Sequence, residues 1–230
     1  ELGNSLGQQF YVENRLGANG TIAARSVATS KPDGYSLLFT SSSIISTPYI
    51  YRNLGYDTLT DLRPIATIGE LDGMFMLVDA KSPIKTLADF IALGKDGKLT
   101  VADSGVGTTN HIAIELLGEA TGTQYTLVHY KGSGQAIQDV LAGQVQMFIT
   151  TPPSVIQHIQ SGKLKALAVA GKSRHPNLPS VPTTAEAGVP GFELEAWVAL
   201  FAPAGTPQPV INKLTQDVKL ALEQPETKTR

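Results

Sequence analysis

Residues 101–118 read VADSGVGTTNHIAIELLG and residues 126–143 read TLVHYKGSGQAIQDVLAG. Each is a short run of β-forming residues, then a Gly-x-Gly loop, then an apolar-periodic helix. The glycine pairs are Gly105 with Gly107 and Gly132 with Gly134, offset from each other by 27 residues, a length that suits one βαβ step between parallel strands. Two such units in series place two helix N-termini at the carboxyl edge of one sheet, where open α/β sheets bind ligands.

The rest of the chain repeats the alternation. Strand-like runs are expected at 9–13, 35–40, 64–68, 75–78, 99–102, 126–130, 145–149, 164–170 and 195–201, most of them short and apolar as in strands buried on both faces. Helical patterns lie between them at 20–30, 86–94, 108–121, 133–143, 154–162, 183–188 and 207–223. Local signals mark several ends: Thr86 before an apolar segment closed by Gly94, Pro207 and Pro209 in a first turn, and Thr183 three residues before Glu186 as a capping box. The expected fold class is α/β, with mostly parallel sheets flanked by helices.

Composition narrows the classes. With 42% hydrophobic and 17% charged residues the 230-residue chain can bury one large core or two smaller ones. Eighteen basic against twenty acidic residues leave a net charge of −2, which offers no basic surface to a nucleic acid. The absence of cysteine removes disulfides, thiolate metal sites and a cysteine nucleophile. No apolar run reaches the ~20 residues of a membrane span. Composition breaks at GKDGKLT (94–100) and APAGTPQP (202–209) read as hinge crossings between two lobes, the first from 1–97 plus 204–230 and the second from 98–203.

A helix N-terminus offers unpaired N–H groups and about half a positive charge, and glycine lets a ligand approach the backbone, so an anion is the expected guest. A nucleotide P-loop would end in Gly-Lys-Ser/Thr, which neither GVGTTN nor GSGQAI does, and the dinucleotide fingerprint lacks its third glycine, where Asn110 and Ile137 stand. A carboxylate needs only two or three N–H or O–H donors, which Ser104, Thr108, Thr109 and the backbone can supply. The tight turn alone also accounts for many Gly-x-Gly loops. A third loop, ITTPPS (149–154), should lie on the same edge and offers Thr151, although a proline-initiated helix explains it as well. In the first lobe the strand exit FTSSS (39–43) offers Ser42, in a string that is also an ordinary turn.

Catalytic and metal chemistry find little support. The histidines His111, His129, His158 and His175 show no metal-ligand spacing, and no metal or cofactor is expected. Ser104 with His111 or His129 would suit a nucleophile in an α/β hydrolase-like enzyme, but the G-x-S-x-G elbow is absent. His111 would sit in the first turn of its helix, where the dipole disfavours the imidazolium. Tyr130 and Trp197 read as cleft or core aromatics.

The strings FYVENRLGANGTIAARSVATSKPDGYSLLF (10–39), SGVGTTNHIAIELL (104–117), VHYKGSGQAIQDVLAGQVQMF (128–148), GKLKALAVAGKSRHPNLPSVPTTAEAGVPGFE (162–193) and LFAPAGTP (200–207) resemble the periplasmic, Bug-type substrate-binding receptors of tripartite tricarboxylate transporters. That resemblance implies a two-lobed Venus-flytrap protein without catalytic activity. Such a protein closes over a small organic carboxylate in the periplasm and delivers it to a two-component integral-membrane permease, as a monomer that does not itself span the membrane. It places ligand contacts on Ser104, Gly105, Gly107, Thr108, Thr109 and His111 of one string and on Tyr130, Gly132, Ser133 and Gly134 of the other. Family members begin with a strand and a proline-glycine loop and continue past the last helix, so an N-terminal strand and a C-terminal part are expected to be missing here. Where the family carries an acidic residue or asparagine after Phe148, Ile149-Thr150-Thr151 stand, which implies an altered ligand preference. A soluble carboxylate sensor of a regulatory system is the remaining alternative.

Overall fold

The structure, a computed structural model, describes residues 3, 7–15 and 17–229. It divides into two compact units, 1–70 with 197–230 and 71–196. The strands are β1 (Leu38–Ser41), β2 (Leu62–Asp72), β3 (Phe75–Asp79), β4 (Leu99–Asp103), β5 (Tyr125–His129), β6 (Met147–Thr150), β7 (Leu164–Val169) and β8 (Glu195–Pro203). The main helices are α1 (Thr21–Ala28), α2 (Leu87–Gly94), α3 (Thr109–Thr121), α4 (Ser133–Leu141), α5 (Ile156–Gln160) and α6 (Gln208–Glu223).

The second unit is built on a five-stranded sheet of order β5-β4-β6-β3-β7. β4 runs parallel to β5 and to β6, and β3 is antiparallel to both of its neighbours, β6 and β7. The sequence of β3 shows why it lies inside the sheet. Met76 and Val78 enter one core with Leu87 and Phe90 of α2 and Ala113, Ile114 and Leu117 of α3. Phe75 and Leu77, alternating with them, enter the other core with Ala136, Ile137 and Val140 of α4. A strand covered on both faces has no polar position, hence the unbroken run FMLV.

The first unit holds a three-stranded sheet of order β1-β8-β2, with β1 antiparallel to β8. Leu200 and Ala202 of β8 pack with Ile211, Leu214 and Val218 of α6, while Trp197 and Phe201 pack against a second core formed by Ala24, Leu38, Ile44 and Leu62. Trp197 is thus a core aromatic of this unit.

Three expectations are corrected. Residues 9–13 form no strand; Phe10, Tyr11 and Val12 are exposed, and no ladder partner exists for them among the described residues. Residues 183–188 form a capped turn instead of a helix. Thr183 and Glu186 exchange both bonds of a capping box, but Gly188, at φ 94°, and Pro190 follow before a second turn can form. The unit boundaries also fall elsewhere than at 97/98 and 203/204. The chain passes between units near 70 and 196, within β2 and β8, because β3 and α2 belong to the second unit's sheet and core. The breaks at 94–100 and 202–209 are loops inside a unit. The first links α2 to β4, with Gln124 N–H donating to Gly94 O, and the second links β8 to α6, with Ala204 N–H donating to Asp61 O.

At the start of α2, Thr86 Oγ1 accepts from Asp89 N–H (3.1 Å) and Asp89 Oδ2 accepts from Thr86 N–H (2.9 Å). Thr86→Ala is expected to lower the unfolding free energy by about 1 kcal/mol, read as a lower urea midpoint at unchanged m-value.

Candidate functional site

In the ladder between β4 and β5, Asp103 stands opposite His129, and in that between β4 and β6, Ala102 stands opposite Phe148. All three strands therefore end at one edge, and the loops that follow them lie side by side with the Ser104–Thr108 loop in the middle. The two glycine loops come close. A Cβ on Gly105, at φ 129°, would lie 3.3 Å from Tyr130 O, and Tyr130 N–H donates to Asp103 O (3.1 Å). The left-handed backbone at Gly105, Gly107 (φ 80°) and Gly132 (φ 148°) accounts for glycine at those positions. At Gly134 neither φ nor space does: an added Cβ would meet nothing within 4 Å.

The first loop is held by its own side chains. Thr108, the N-cap of α3, accepts from His111 N–H and donates through Oγ1 to Gly105 O (2.7 Å). Ser104 Oγ donates to Thr108 Oγ1 (3.4 Å), and Gly107 N–H donates to His111 Nδ1 (3.0 Å). Asn110 Nδ2 donates to Ile149 O (2.7 Å) and ties α3 to β6. The second loop leads into α4 with Gly132 as N-cap and no side-chain cap, so Ser133 and Gly134 occupy a helix start that no side chain of its own closes. In the third loop Ser154 Oγ donates to Thr151 O (2.8 Å). Thr151 thus stands on the same edge as the two glycine loops. Ser42 stands in the first unit, in the short turn Ser42–Ile45 after β1.

Beneath the loops lies a carboxylate that sequence reasoning did not single out. Asp103 is fully buried; its Oδ1 accepts from Gly105 N–H (2.7 Å) and its Oδ2 is 2.6 Å from His129 Nδ1. The His129 ring meets His111 edge to face, with ring centroids 5.3 Å apart. Asp103, His111 and His129 each offer one potential metal-ligating atom, all within 4.8 Å of one another. The spacing of the histidines in sequence hides this grouping. The hydrogen bonds oppose a ligand role, since both Nδ1 atoms and both Asp103 oxygens are engaged, and His111, accepting at Nδ1, carries its proton on Nε2. A signal was present in the sequence: an aspartate ending an apolar strand must find donors where it is buried.

Tyr130 is buried, donates to Asp139 Oδ2 (2.7 Å), and so anchors the second loop to α4. Burial, reinforced by the Asp139 hydrogen bond and charge, pushes its phenol up to about 12. Tyr125, which donates to Ile114 O, is likewise raised to about 12, by burial and then by Glu115.

The chain matches the family model described as "Tripartite tricarboxylate transporter family receptor" over residues 1–229. It is 36% identical over 226 residues to protein BugT of Bordetella pertussis, an overlap covering 96% of this chain and 69% of BugT. The chain spans about two thirds of the length of the curated relatives it matches. Among solved structures it is similar to the periplasmic binding protein BugD, at 34% identity and TM-score 0.91, covering 99% of this chain and 77% of BugD. It is also similar to an R. palustris protein with adipate (34%, TM-score 0.92, 99% and 77% covered) and to MatC of Rhodopseudomonas palustris with bound malate (34%, TM-score 0.89, 99% and 78% covered).

Two predictions follow from the buried groups. Asp103→Ala leaves Gly105 N–H and His129 Nδ1 without their acceptor and is expected to cost about 2 kcal/mol in urea denaturation at neutral pH. Tyr130 ionises near pH 10 in the unfolded chain and near 12 in the folded one, so its contribution is complete below pH 10 and disappears as pH rises to about 12. Up to about 3 kcal/mol is lost over that window, and the loss is expected to be smaller in Tyr130→Phe, with the remainder including that of Tyr125.

Proposed function

The chain belongs to the tripartite tricarboxylate transporter receptor family, and from that premise we propose that it is an extracytoplasmic receptor that captures a small organic carboxylate and delivers it to a two-component membrane permease. The family consists of substrate-binding receptors, not enzymes. Ser104 fits that role, since its hydroxyl partner is Thr108 and not a histidine.

The observation that carries the proposal is the pairing of β4 with β5. Parallel neighbours, each followed by a glycine loop and a helix, bring the starts of α3 and α4 to one edge. In this reading the backbone N–H groups of 132–134 at the uncapped start of α4, with the hydroxyls of Ser133 and Thr151, hold the carboxylate, and Ser104, Gly105, Gly107, Thr108 and Thr109, whose own hydrogen bonds set the shape of the first loop, line it. His111 and Tyr130 complete the proposed ligand set of the second unit. Each hydrogen bond to the ionised ligand contributes about 1.5 to 3 kcal/mol. Solved relatives hold a diacid, adipate in one and malate in another, and a diacid is the class proposed here. A periplasmic location is proposed from BugD, which is a periplasmic binding protein. Among the described residues no helix is long and apolar enough to cross a membrane.

Gly134 supplies the test. Alanine there has room and an ordinary backbone angle, inside the first turn of α4, so Gly134→Ala is expected to keep or raise stability by up to about 1 kcal/mol. The same methyl stands where the ligand approaches, so carboxylate affinity should fall by about tenfold or more. A thermal-shift screen of organic acids checks both, because a ligand at about 100 times Kd stabilises the folded chain by about 2.7 kcal/mol. Binding unaffected in Gly134→Ala would move the site away from α4, and no response of the native chain to any acid would overturn the reading.

A further inference from the structure

The two imidazoles beside the glycine loop have opposite hydrogen-bonding polarity, and the backbone sets it. His111 accepts at Nδ1 from Gly107 N–H, so its proton lies on Nε2, 3.7 Å from the exposed Glu115 carboxylate. His129 is the reverse. Its Nδ1 meets Oδ2 of a fully buried carboxylate whose other oxygen already accepts from Gly105 N–H, so Nδ1 carries the proton and donates. In the neutral imidazole Nε2 then keeps its lone pair. Because Nδ1 turns inward to Asp103, the ring edge bearing Nε2 is the outer one, in a side chain that is 43% exposed. That ring packs edge to face on His111, which is itself fastened to Gly107, so the ring stands beside the Ser104–Thr108 loop. An acceptor beside a carboxylate anchor repels a second carboxylate oxygen and attracts an O–H or N–H.

We infer that His129 is a specificity-determining residue, held by Asp103 as a positioning residue, that selects carboxylates bearing a hydrogen-bond donor, a hydroxyl or an ammonium, close to the anchored carboxylate. The inference rests on the carboxylate-receptor reading and goes beyond it in naming which carboxylates bind. A missing ligand donor leaves Nε2 desolvated and unpaired, which is how a polar site rejects an analogue that lacks the group it was built to meet.

The test compares malate, aspartate and succinate, which share a four-carbon diacid skeleton and carry a hydroxyl, an ammonium or neither. Titration calorimetry on the native chain is expected to show malate or aspartate bound about tenfold or more tightly than succinate, and which of the two leads assigns the donor. His129→Phe keeps a ring and is expected to bring the ratio to about one. Asp103→Asn is the sharper variant. Its carboxamide oxygen still accepts from Gly105 N–H while its NH2 donates to His129 Nδ1. The histidine proton then moves to Nε2, and the ratio is expected to fall to one or below, a reversal that loosened packing would not produce. Nitrogen-15 NMR of the imidazole in the native chain reads the same point without any variant, with the proton expected on Nδ1 of His129 and on Nε2 of His111.

Succinate bound as tightly as malate and aspartate by the native chain would overturn this inference and leave the receptor reading standing. A preference that survives both substitutions, or a native His129 that carries a proton on Nε2, alone or together with one on Nδ1, would overturn it as well. If none of these acids nor any other carboxylate binds, the receptor reading fails and this inference with it.

Discussion

The parallel pairing of β4 with β5 is the constraint on which the rest of the second unit depends. Once Asp103 faces His129 across that ladder, the two loops must leave the sheet together, and the helices after them must begin together. The apolar residues of the strands enforce the register. Val101 is buried in one core and Ala102 in the other, so a slip of one residue would exchange the faces of the whole strand. What reaches the edge is therefore fixed by packing several residues away from it.

The alternation of strands and helices was legible because both kinds of element carry their own period. FMLV in β3 and LTVA in β4 read as buried strands, and the segments after Thr86, Thr108 and Pro207 read as helices, in agreement with the structure. Failures came where local pattern and tertiary partnership part. QFYVE has β-forming residues but no neighbouring strand among the described residues, and Thr183 with Glu186 forms a true cap on a segment that Gly188 and Pro190 interrupt. The unit boundaries left no compositional mark because the chain passes from one unit to the other inside β2 and β8, where the sequence must still satisfy a sheet. Gly- and Pro-rich stretches mark turns, and turns within a unit outnumber passages between units.

The candidate site, as a grouping of loops at one sheet edge, was legible to the same depth. Glycines, hydroxyls and His111 announce themselves by their place between a strand and a helix, a local relation. Asp103 and His129 do not, since their partnership exists only after two strands 26 residues apart in sequence lie side by side. Neither residue is unusual alone: one is an aspartate before Ser-Gly, the other a histidine before Tyr-Lys. The chemistry lies in the pair, and no spacing rule within one segment reveals it.

A buried carboxylate under a loop proposed to receive anions looks like a contradiction, because like charges at close range disfavour each other. The geometry resolves it. Both oxygens of Asp103 are turned to donors, Gly105 N–H and His129 Nδ1, so the charge acts on the shape of the loop and on the orientation of an imidazole. Without that carboxylate the His129 proton could reside on either nitrogen and the ring could turn, while Gly105 N–H would lose its partner. In the proposed receptor the proposed donors that meet the ligand are neutral backbone and hydroxyl groups, which lose less hydration on closing around a guest than a lysine or arginine would. Neutral donors also bind less indiscriminately, because their strength depends on direction more than that of a point charge does. A negative residue below the loop then makes physical sense: it weakens the general attraction for anions and, through His129, rewards a guest that brings a donor of its own.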